Sequence, residues 1–385
     1  MELTEEVSNI SGRNSPNVWV LTDDRPGNTT QSLGLADSLG WPYEVKRLDF
    51  TPLARLHKIH EGLIGSTTLC LNLKTSSPLV SPWPDVVICA GRRPAPIARW
   101  IRSQSRGRTK LIQLGRKGSQ AVAQGDITIA PAYCRMWPHD HHIETLAPLN
   151  RVSDQQLESA AREWSELYHE AARPYVVLLV GGSTVRSVFD EGVARQLGKD
   201  VRAFSEKIGG TVHAVTSRRT GQKATDALCE GLGPHVLVRR WEPGHSPNPY
   251  WGYLSVADLI IVTGDSESMV GESVSVGKPV YIYPLPERPL RGFARVREAI
   301  VVAGWRSQAM VQEPVWTKSV KRLCGLLLRK GFVRPLRDLQ AFHRVLVERG
   351  YAQMFGRDLE AHKGIPLRET DQVGRKIKEI LGFQE

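Results

Sequence analysis

The chain has 385 residues, more than one hydrophobic core usually supports, and this length predicts two domains. No apolar run approaches the roughly 18 residues that cross a bilayer, and the N-terminus lacks signal- and transit-peptide features, so we expect a cytoplasmic protein. The net charge of +11 indicates an anionic partner, such as a phosphorylated substrate or an anionic membrane surface.

Strand and helix patterns alternate through the first part of the chain. Residues 1–16 are acidic, then polar, and we expect them to be disordered. Predicted helices over 29–39 and 95–105 separate short apolar runs that are typical of buried strands. These strands are expected over 18–22, 45–50, 85–90, 110–114 and 127–130. The alternation predicts a Rossmann-like domain with a parallel sheet over 17–150.

The same alternation returns after a predicted linker helix over 151–172. Five more strands are expected over 175–180, 211–216, 235–240, 259–263 and 280–283. This pattern predicts a second Rossmann-like domain that, with the linker helix, covers 151–312. The remaining residues, 313–385, have helical patterns only, over 318–329, 336–349 and 372–381. We therefore expect a helical C-terminal region.

The stretch 258–284 carries the most informative pattern. An apolar strand ends at Gly264-Asp265-Ser266, a helix begins near Glu267, and Glu272 follows one turn later. A helix that begins behind a parallel strand offers free backbone N–H groups to a phosphate, and Glu272 can reach ribose hydroxyls. The segment indicates the nucleotide side of a sugar-nucleotide site, although any doubly wound domain contains such units.

Three further loops follow strands of the second domain. Gly181-Gly182-Ser183-Thr184 permits close backbone approach to a diphosphate. Its spacing fits neither the dinucleotide fingerprint nor the Walker pattern, which counts against an NAD enzyme or an ATPase. Arg218 and Arg219 end the second strand, where a guanidinium can clamp phosphate. A Pro-rich loop containing Asn248 follows the third strand and leads into a helix from Tyr250. Plain turns or a solvated basic loop would explain the same residues.

The first domain offers a pair of adjacent carboxylates. Asp23 and Asp24 follow its first strand, and mutual repulsion would raise one pKa enough to make a general base. The alternative is that the pair caps a turn and that Arg25 neutralises it. We expect Asn28 or Thr29 to cap the helix that follows. A second loop, Gly91 and Arg92 with Arg93, repeats this arrangement on the acceptor side.

Histidines, cysteines and basic residues complete the pattern. The cluster around His139 is interpreted as a polar loop in which His139 is a secondary base candidate, because no ligand spacing for a metal accompanies it. The five cysteines lack paired spacing and are expected to be free thiols. Basic residues occur throughout the chain without an aromatic-interleaved motif, so we expect no nucleic-acid partner. Charge alone suggests peripheral attachment at the cytoplasmic membrane face.

Five motifs together resemble one known family, over roughly residues 17–312. They are TDDRPGNTTQSLGLADSLG, GGST, TSRRTG, NPYWGYL and TGDSESMVGESVSVGKPVYI, in this order. The family takes its name from a plant mitochondrial fission factor whose loss elongates mitochondria, and many of its members are bacterial proteins described as glycosyltransferases. It is similar to GT-B glycosyltransferases. The resemblance therefore implies two Rossmann-like domains whose parallel sheets face each other across a cleft, followed by a helical tail.

The resemblance also implies roles for individual residues. A nucleotide-sugar donor would contact a set in the second domain: Gly182, Ser183, Thr184, Arg218, Asn248, Ser266, Ser268, Met269 and Glu272. The acceptor, a hydroxyl compound that the resemblance suggests is lipid-linked or a cell-envelope glycan, would meet Arg25, Asn28, Gly91 and Arg92. Asp24 or Asp23 would be the base, and no metal or other cofactor is expected. One GT-B enzyme to which the family is similar is the lipid-linked N-acetylglucosaminyltransferase of peptidoglycan synthesis, and Asp265-Ser266 departs from the small residues that many relatives of that enzyme carry.

Two other functions stay open on these residues. The chain would be a non-catalytic adaptor that keeps the scaffold and recruits a protein partner, as the plant fission role suggests. It would alternatively be a nucleotide-sugar epimerase, which needs acid and base residues facing the donor sugar. Retention of candidate bases together with phosphate-loop residues favours an enzyme over the adaptor. The epimerase ranks below transfer, because no acid and base residues are assigned to face the donor sugar.

Overall fold

A computed structural model describes residues 15–54, 66–115, 127–137, 141–165, 172–242, 249–306, 315–329, 332–356 and 363–383. The chain divides into two compact units. The first unit contains Met1–Arg151, Arg291–Arg337 and Glu369–Glu385, and the second unit contains Val152–Leu290 and Asp338–Arg368. The C-terminal helices are therefore distributed over both units.

The elements of the described residues alternate as the sequence pattern predicts. The strands are β1 Val18–Thr22, β2 Tyr43–Arg47, β3 Val86–Ala90, β4 Lys110–Leu114, β5 Ile127–Pro131, β6 His142–Thr145, β7 Tyr175–Val180, β8 Thr211–Thr216, β9 Leu237–Arg239, β10 Leu259–Thr263, β11 Val280–Tyr283 and β12 Gln353–Met354. The helices are α1 Pro26–Leu39, α2 Ala95–Gln104, α3 Asp154–Glu163, α4 Glu191–Ile208, α5 Gln222–Leu232, α6 Tyr250–Val256, α7 Glu267–Val276, α8 Phe293–Arg306, α9 Val315–Arg329, α10 Leu339–Glu348 and α11 Glu369–Leu381.

The first unit is built on a six-stranded parallel sheet with the order β2-β1-β3-β4-β5-β6. Its central strands are buried on both faces, which explains why they appear in the sequence as continuous apolar runs. Alternate residues of β1 face opposite cores, so that Val18 and Val20 pack with α1 and α11 while Trp19 and Leu21 pack with α2.

The second unit has its own six-stranded parallel sheet, with the order β12-β11-β10-β7-β8-β9. β7 lies in the centre, and every one of its residues is buried. Helices α4 and α5 cover one face, where Leu197, Val201 and Leu228 join the core of the sheet. The predicted class, two Rossmann-like units with parallel sheets, is confirmed.

The bounds of some helices and strands differ from those that the sequence pattern predicts. Helix α1 begins at Pro26, not near residue 29, and its N-cap Arg25 makes no side-chain cap, so the predicted cap by Asn28 or Thr29 is wrong. Proline fits the first helical position because its missing N–H needs no partner there. The sequence analysis also missed β6, β12 and α8. Helix α3 covers only part of the predicted linker helix, and 166–171 lie outside the described residues.

All five cysteines are free, as predicted. Among the described residues, no helix is both long enough and apolar enough to cross a membrane.

Candidate functional site

Each sheet has a point where the chain reverses the direction in which it adds strands. In the second unit the chain runs outward from β7 through β8 to β9, then returns to the other side of β7 with β10. The carboxyl ends of β7 and β10 are therefore the second switch point. The first switch point lies at the carboxyl ends of β1 and β3, because β2 lies on the other side of β1. Open α/β sheets bind ligands at such points.

Two glycines after β7 allow three loops to meet at the second switch point. A Cβ atom added at Gly181 would lie 2.3 Å from the Asp265 carboxylate, and one added at Gly182 would lie 2.2 Å from the Arg219 backbone. Both distances are far below any normal contact, so only glycine fits. The Ser217 hydroxyl donates to the Gly181 carbonyl at 2.7 Å. The glycine pair is thus held between the loops that follow β8 and β10.

Asp265 is the centre of the hydrogen-bond network at this point. Its carboxylate accepts from the Gly182 N–H at 2.9 Å, from the Thr263 hydroxyl at 2.7 Å and from Arg219 at 2.7 Å. The Asp265 side chain is 0% exposed, and burial raises its pKa although Arg219 and the hydrogen bonds act in the opposite direction. Within this network Asp265 is a structural anchor.

The predicted phosphate-loop hydroxyls also bond within their own loop. Ser183 Oγ accepts from the Phe189 N–H at 2.9 Å and donates to the Phe189 carbonyl at 3.1 Å. Thr184 Oγ1 accepts from the Ser187 N–H at 2.9 Å. These bonds close the turn between β7 and α4. Ser183 and Thr184 therefore lie at the predicted place, but with their hydroxyls used by the chain itself.

The N-terminus of α7 has no side-chain cap, and an anion could accept hydrogen bonds from its backbone N–H groups. Ser266 is the N-cap of this helix, yet its side chain makes no cap hydrogen bond. Ser268 and Met269 lie in the first turn and are half-buried, and Arg218 is exposed on the loop after β8. A helix N-terminus without a side-chain cap favours negative charge through its dipole and free N–H groups.

Glu272 lies one turn further along α7 and is buried. The Tyr250 hydroxyl of α6 donates a hydrogen bond to its Oε2 atom. Burial raises the pKa of Glu272 to about 7, and the Tyr250 hydrogen bond lowers it by a smaller amount. Burial and the neighbouring Glu272 raise the pKa of Tyr250. Glu272 can therefore gain or lose a proton near neutral pH.

A histidine from α10 also reaches the second switch point. The His343 ring lies against Gly264, since a Cβ atom added there would be 2.6 Å from His343 Cε1, and it hydrogen-bonds the Gly264 carbonyl. Burial lowers the pKa of His343 to about 4, so the ring is neutral at physiological pH. Its Nε2 atom is buried and has no hydrogen-bond partner among the described residues.

The first switch point brings the loops after β1 and β3 together. Gly91 has a φ of +80°, a conformation that glycine adopts without strain, and a Cβ atom there would lie 2.7 Å from Asn28 Nδ2. The Asn28 amide in turn lies 3.5 Å from Asp23 Oδ1, a weak contact. The predicted acceptor-side residues Asn28 and Gly91 are thus neighbours of a candidate base.

Asp23 has one carboxylate oxygen that is satisfied and one that is not. Oδ1 accepts from the Arg25 N–H at 3.1 Å, whereas Oδ2 is buried and has no hydrogen-bond partner among the described residues. Desolvation is the main cause that raises the pKa of Asp23, and repulsion from Asp24 contributes much less. The cause differs from the mutual repulsion that the sequence suggested. A carboxylate with a raised pKa and an unused oxygen can accept a proton or a ligand hydrogen bond.

Asp24 differs from its neighbour. Its side chain is 62% exposed and forms an ion pair with Arg93 at 2.8 Å. Arg93 comes from the loop after β3, so this pair links the two loops of the first switch point. Arg25 is half-buried and supplies its backbone N–H to Asp23, and Arg92 is exposed.

Two predicted site residues, His139 and Asn248, lie outside the described residues. In the part of the chain that the structure describes, no group of three or more His, Cys, Asp or Glu side chains is arranged to hold a metal ion.

Sequence reasoning did not assign roles to several residues of the second switch point. Arg219 engages Asp265 while the predicted Arg218 does not, and Thr263, Tyr250 and His343 each contact a site residue. A usable signal existed for Asp265, a charged residue directly after a buried strand. His343 had no such signal, because it lies on a distant helix of the C-terminal region.

Comparison with known proteins identifies the family. The family model described as "Mitochondrial fission ELM1" matches residues 26–323, well over half of the chain. The chain belongs to this family. The family resemblance read from the five motifs is therefore confirmed.

The curated relatives that match are distant. The Mitochondrial fission protein ELM1 of Arabidopsis thaliana is 28% identical over 221 residues, which cover 52% of this chain and 51% of the plant protein. The match thus spans about half the length of that relative. An uncharacterized protein of Rickettsia prowazekii is 25% identical over 305 residues, covering 70% of this chain and 84% of the relative.

Two solved structures align with most of the chain at low sequence identity. A UDP-GlcNAc 2-epimerase from Neisseria meningitidis bound to UDP-GlcNAc is 13% identical with a TM-score of 0.42, covering 86% of this chain and 99% of the epimerase. MurG of Acinetobacter baumannii is 14% identical with a TM-score of 0.39, covering 94% and 100%. At these TM-scores neither structure carries an argument about activity.

Proposed function

We propose that the chain is a glycosyltransferase that binds a nucleotide-sugar at the second switch point and transfers the sugar to a hydroxyl acceptor. The supporting observation is that candidate residues of each unit follow the strands at which the order of its parallel sheet reverses: Asp23 and Gly91 in the first unit, Gly182 and Asp265 in the second. Open α/β sheets bind nucleotides and related ligands at that place. The second switch point would hold the donor, and the first would supply the base.

The diphosphate of the donor would bind at the beginning of α7. The helix lacks a side-chain cap, and Arg218 is exposed nearby on the loop after β8. Two independent sources of positive potential, a helix dipole and a guanidinium, suit a diphosphate. The internal hydrogen bonds of Asp265, Ser183 and Thr184 would keep the surrounding loops rigid, so little ordering entropy is lost on binding.

The ribose hydroxyls would donate to Glu272. Tyr250 already donates to the same carboxylate, and hydroxyl donors favour its ionised form. Because the pKa of Glu272 is raised to about 7, donor binding would compete with protonation. Affinity should therefore fall as the pH is lowered below 7, by about tenfold per pH unit.

Asp23 would act as the general base for the acceptor. Its Oδ2 atom would take the proton of the acceptor hydroxyl while the hydroxyl oxygen bonds to the anomeric carbon of the sugar. The bond from that carbon to the diphosphate would break, and the diphosphate would leave with the electron pair. Arg218 and the α7 N-terminus would stabilise the charge on the leaving group, so we expect no metal requirement.

A binding screen tests the donor site. UDP, GDP, CMP and their sugars are titrated into the full chain by thermal shift and calorimetry, with EDTA present throughout. One nucleotide class should stabilise the protein, and Arg218→Ala should weaken its binding by at least about tenfold. Arg349→Ala, which changes an exposed arginine of the same unit, is the matched control and should bind normally.

The pH dependence separates Glu272 from other ionisable groups. A nucleotide-sugar is used, because its diphosphate has no proton to lose near neutral pH. Wild type should lose affinity between pH 8 and pH 6, while Glu272→Gln should bind weakly and show a flat profile. No stabilisation by any nucleotide would reject the donor site and favour the adaptor function. A sugar altered in the absence of acceptor would favour an epimerase.

A further inference from the structure

Most of the net positive charge of the chain, the excess of basic over acidic residues, comes from one segment. Residues 291–337 contain eleven Lys and Arg and only two Glu. The remaining residues hold 40 basic and 38 acidic side chains, so this segment supplies nine of the eleven excess positive charges. It also returns to the first unit as one continuous piece, Arg291–Arg337. Basic residues themselves occur throughout the chain, as expected, but their excess over acidic residues lies mainly in this segment.

Helices α8 and α9 of this segment pack directly on each other. A Cβ atom added at Gly304 of α8 would lie 2.5 Å from Leu328 and 3.0 Å from the Cys324 backbone of α9. Val301, Cys324 and Leu328 are buried. The two helices thus have a well-defined inner side, and Glu298 and Trp305 of α8 also contact Arg135 and Trp137.

The outward side carries large aliphatic residues. Five of them are between 40% and 57% exposed: Val296 and Val302 on α8, with Val320, Leu323 and Leu326 on α9. Exposed arginines lie among them, namely Arg291, Arg295, Arg322 and Arg329. We call these nine residues the α8–α9 face. Scattered aliphatic residues are normal on a surface, but this many on two packed helices mark an interaction site.

We propose that the α8–α9 face docks on an anionic lipid bilayer. The partner must be negatively charged and must also accept aliphatic side chains over an extended area. A bilayer surface of anionic lipids offers phosphates to the arginines and the upper acyl region to Val and Leu side chains. Nucleic acid would pair with the arginines but would leave the aliphatic residues in water. Of the described helices none spans a membrane, so attachment would be peripheral.

A flotation experiment with the full chain tests this surface. Vesicles of phosphatidylcholine with about 30 mol% phosphatidylglycerol are compared with vesicles of phosphatidylcholine alone. The chain should float with the anionic vesicles, and binding should weaken strongly at about 0.5 M NaCl, where charges are screened within about 5 Å. Binding that is equal on both vesicles would overturn the proposal.

Two double variants assign the binding to the α8–α9 face. Arg295→Gln with Arg322→Gln should lower the partition coefficient about 25-fold, since each basic residue near an anionic surface contributes about fivefold. Leu323→Ser with Leu326→Ser should lower it at least about tenfold while leaving Tm nearly unchanged, because both side chains are exposed.

Matched controls complete the design. Lys199→Gln with Lys223→Gln removes two exposed charges from the second unit, and Leu69→Ser with Leu73→Ser removes two exposed leucines elsewhere in the first unit. Both should float as the wild type does. Equal loss in controls and test variants would contradict the assignment. Tight binding of an oligonucleotide would also contradict it. A third contradicting outcome would be self-association that the leucine variant abolishes while its vesicle binding stays intact.

Discussion

The two switch points each contain an aspartate, and the hydrogen bonds of the buried Asp265 differ from those of the half-buried Asp23. Asp265 in the second unit accepts from a backbone N–H, a hydroxyl and a guanidinium, all within 2.9 Å. Asp23 in the first unit accepts one backbone bond at 3.1 Å and a weak contact at 3.5 Å, and its Oδ2 atom has no partner among the described residues. Burial raises the pKa of both.

The difference shows what each aspartate can do. A fully buried carboxylate whose two oxygens both accept hydrogen bonds from the protein fixes loops and is not exposed to a substrate. A carboxylate with a buried oxygen that accepts no hydrogen bond destabilises the folded protein, and this cost is removed when the oxygen binds a proton or accepts a hydrogen bond from a ligand. Asp265 is therefore expected to govern the stability of the second unit, and Asp23 to govern the proposed chemistry.

The largest expected effect is on catalysis at the first switch point. Asp23→Asn should lower the turnover of donor by about 10²- to 10⁴-fold, because the variant has no base for the acceptor proton. Donor binding should be unchanged, since the proposed donor site lies on the second unit. Asp24→Asn is the matched control, because its exposed side chain pairs with Arg93, and it should keep most activity. Steady-state kinetics with the donor from the screen make the comparison, and equal losses in both variants would remove the distinction between the two aspartates.

A large effect on stability is expected at the second switch point. Asp265→Ala should destabilise the second unit by about 1–3 kcal/mol, because it leaves the buried Gly182 N–H without its acceptor, whereas the partly exposed Arg219 can turn to water. Asp23→Ala should cost about 1 kcal/mol or less, since it breaks one backbone bond and removes a charge that burial disfavours. Urea unfolding measures both variants. Similar midpoints for the two would show that the aspartates share one structural role.

Glu272 extends the comparison to a carboxylate that burial holds near its titration point. Its folded pKa of about 7 lies above the ordinary 4.5, so ionisation costs stability, and this cost grows as the pH rises from about 4.5 to about 7. The full cost above pH 7 is about 3 kcal/mol. Glu272→Gln should therefore raise Tm at pH 8 and leave it nearly unchanged at pH 5. Thermal unfolding at both pH values tests this prediction. A rise in Tm that is equal at pH 5 and pH 8 would mean that the substitution acts through packing and not through the charge of Glu272.

The fold could be predicted from the sequence because buried parallel strands leave a clear signal. β1, β4, β7, β8, β10 and β11 were predicted with their observed bounds, since each is a short apolar run between turn formers. β12 is only two residues long and depends on pairing with β11, so no local pattern announces it. The return of residues 291–337 to the first unit likewise depends on tertiary packing, so no local sequence pattern predicts it.

The site was predictable to the level of loops, because ligand-binding loops follow strands in a parallel sheet. Partners within the loops were not predictable. The Gly181-Gly182 turn is packed against Asp265 and Arg219, which are 84 and 37 residues away from its two glycines in the order given, and only the folded sheet brings them together. Burial likewise raises the pKa of Asp23, and a local sequence pattern does not reveal burial of a loop residue.

The smallest expected effect concerns the ion pair at each switch point. A double-mutant cycle of Asp24→Ala and Arg93→Ala should give a coupling energy of at most about 1 kcal/mol, because the carboxylate is exposed and salt screens the pair. The cycle is needed because Arg93 also lies over the Phe50 ring, so a single variant removes two contacts. The same cycle on Asp265 and Arg219 should give a clearly larger coupling energy, since the Asp265 side chain is fully buried. When unfolding is measured in low and in high salt, the added salt should reduce the coupling energy of Asp24 and Arg93 more than that of Asp265 and Arg219. Equal coupling energies would mean that burial of one partner does not decide the strength of these pairs.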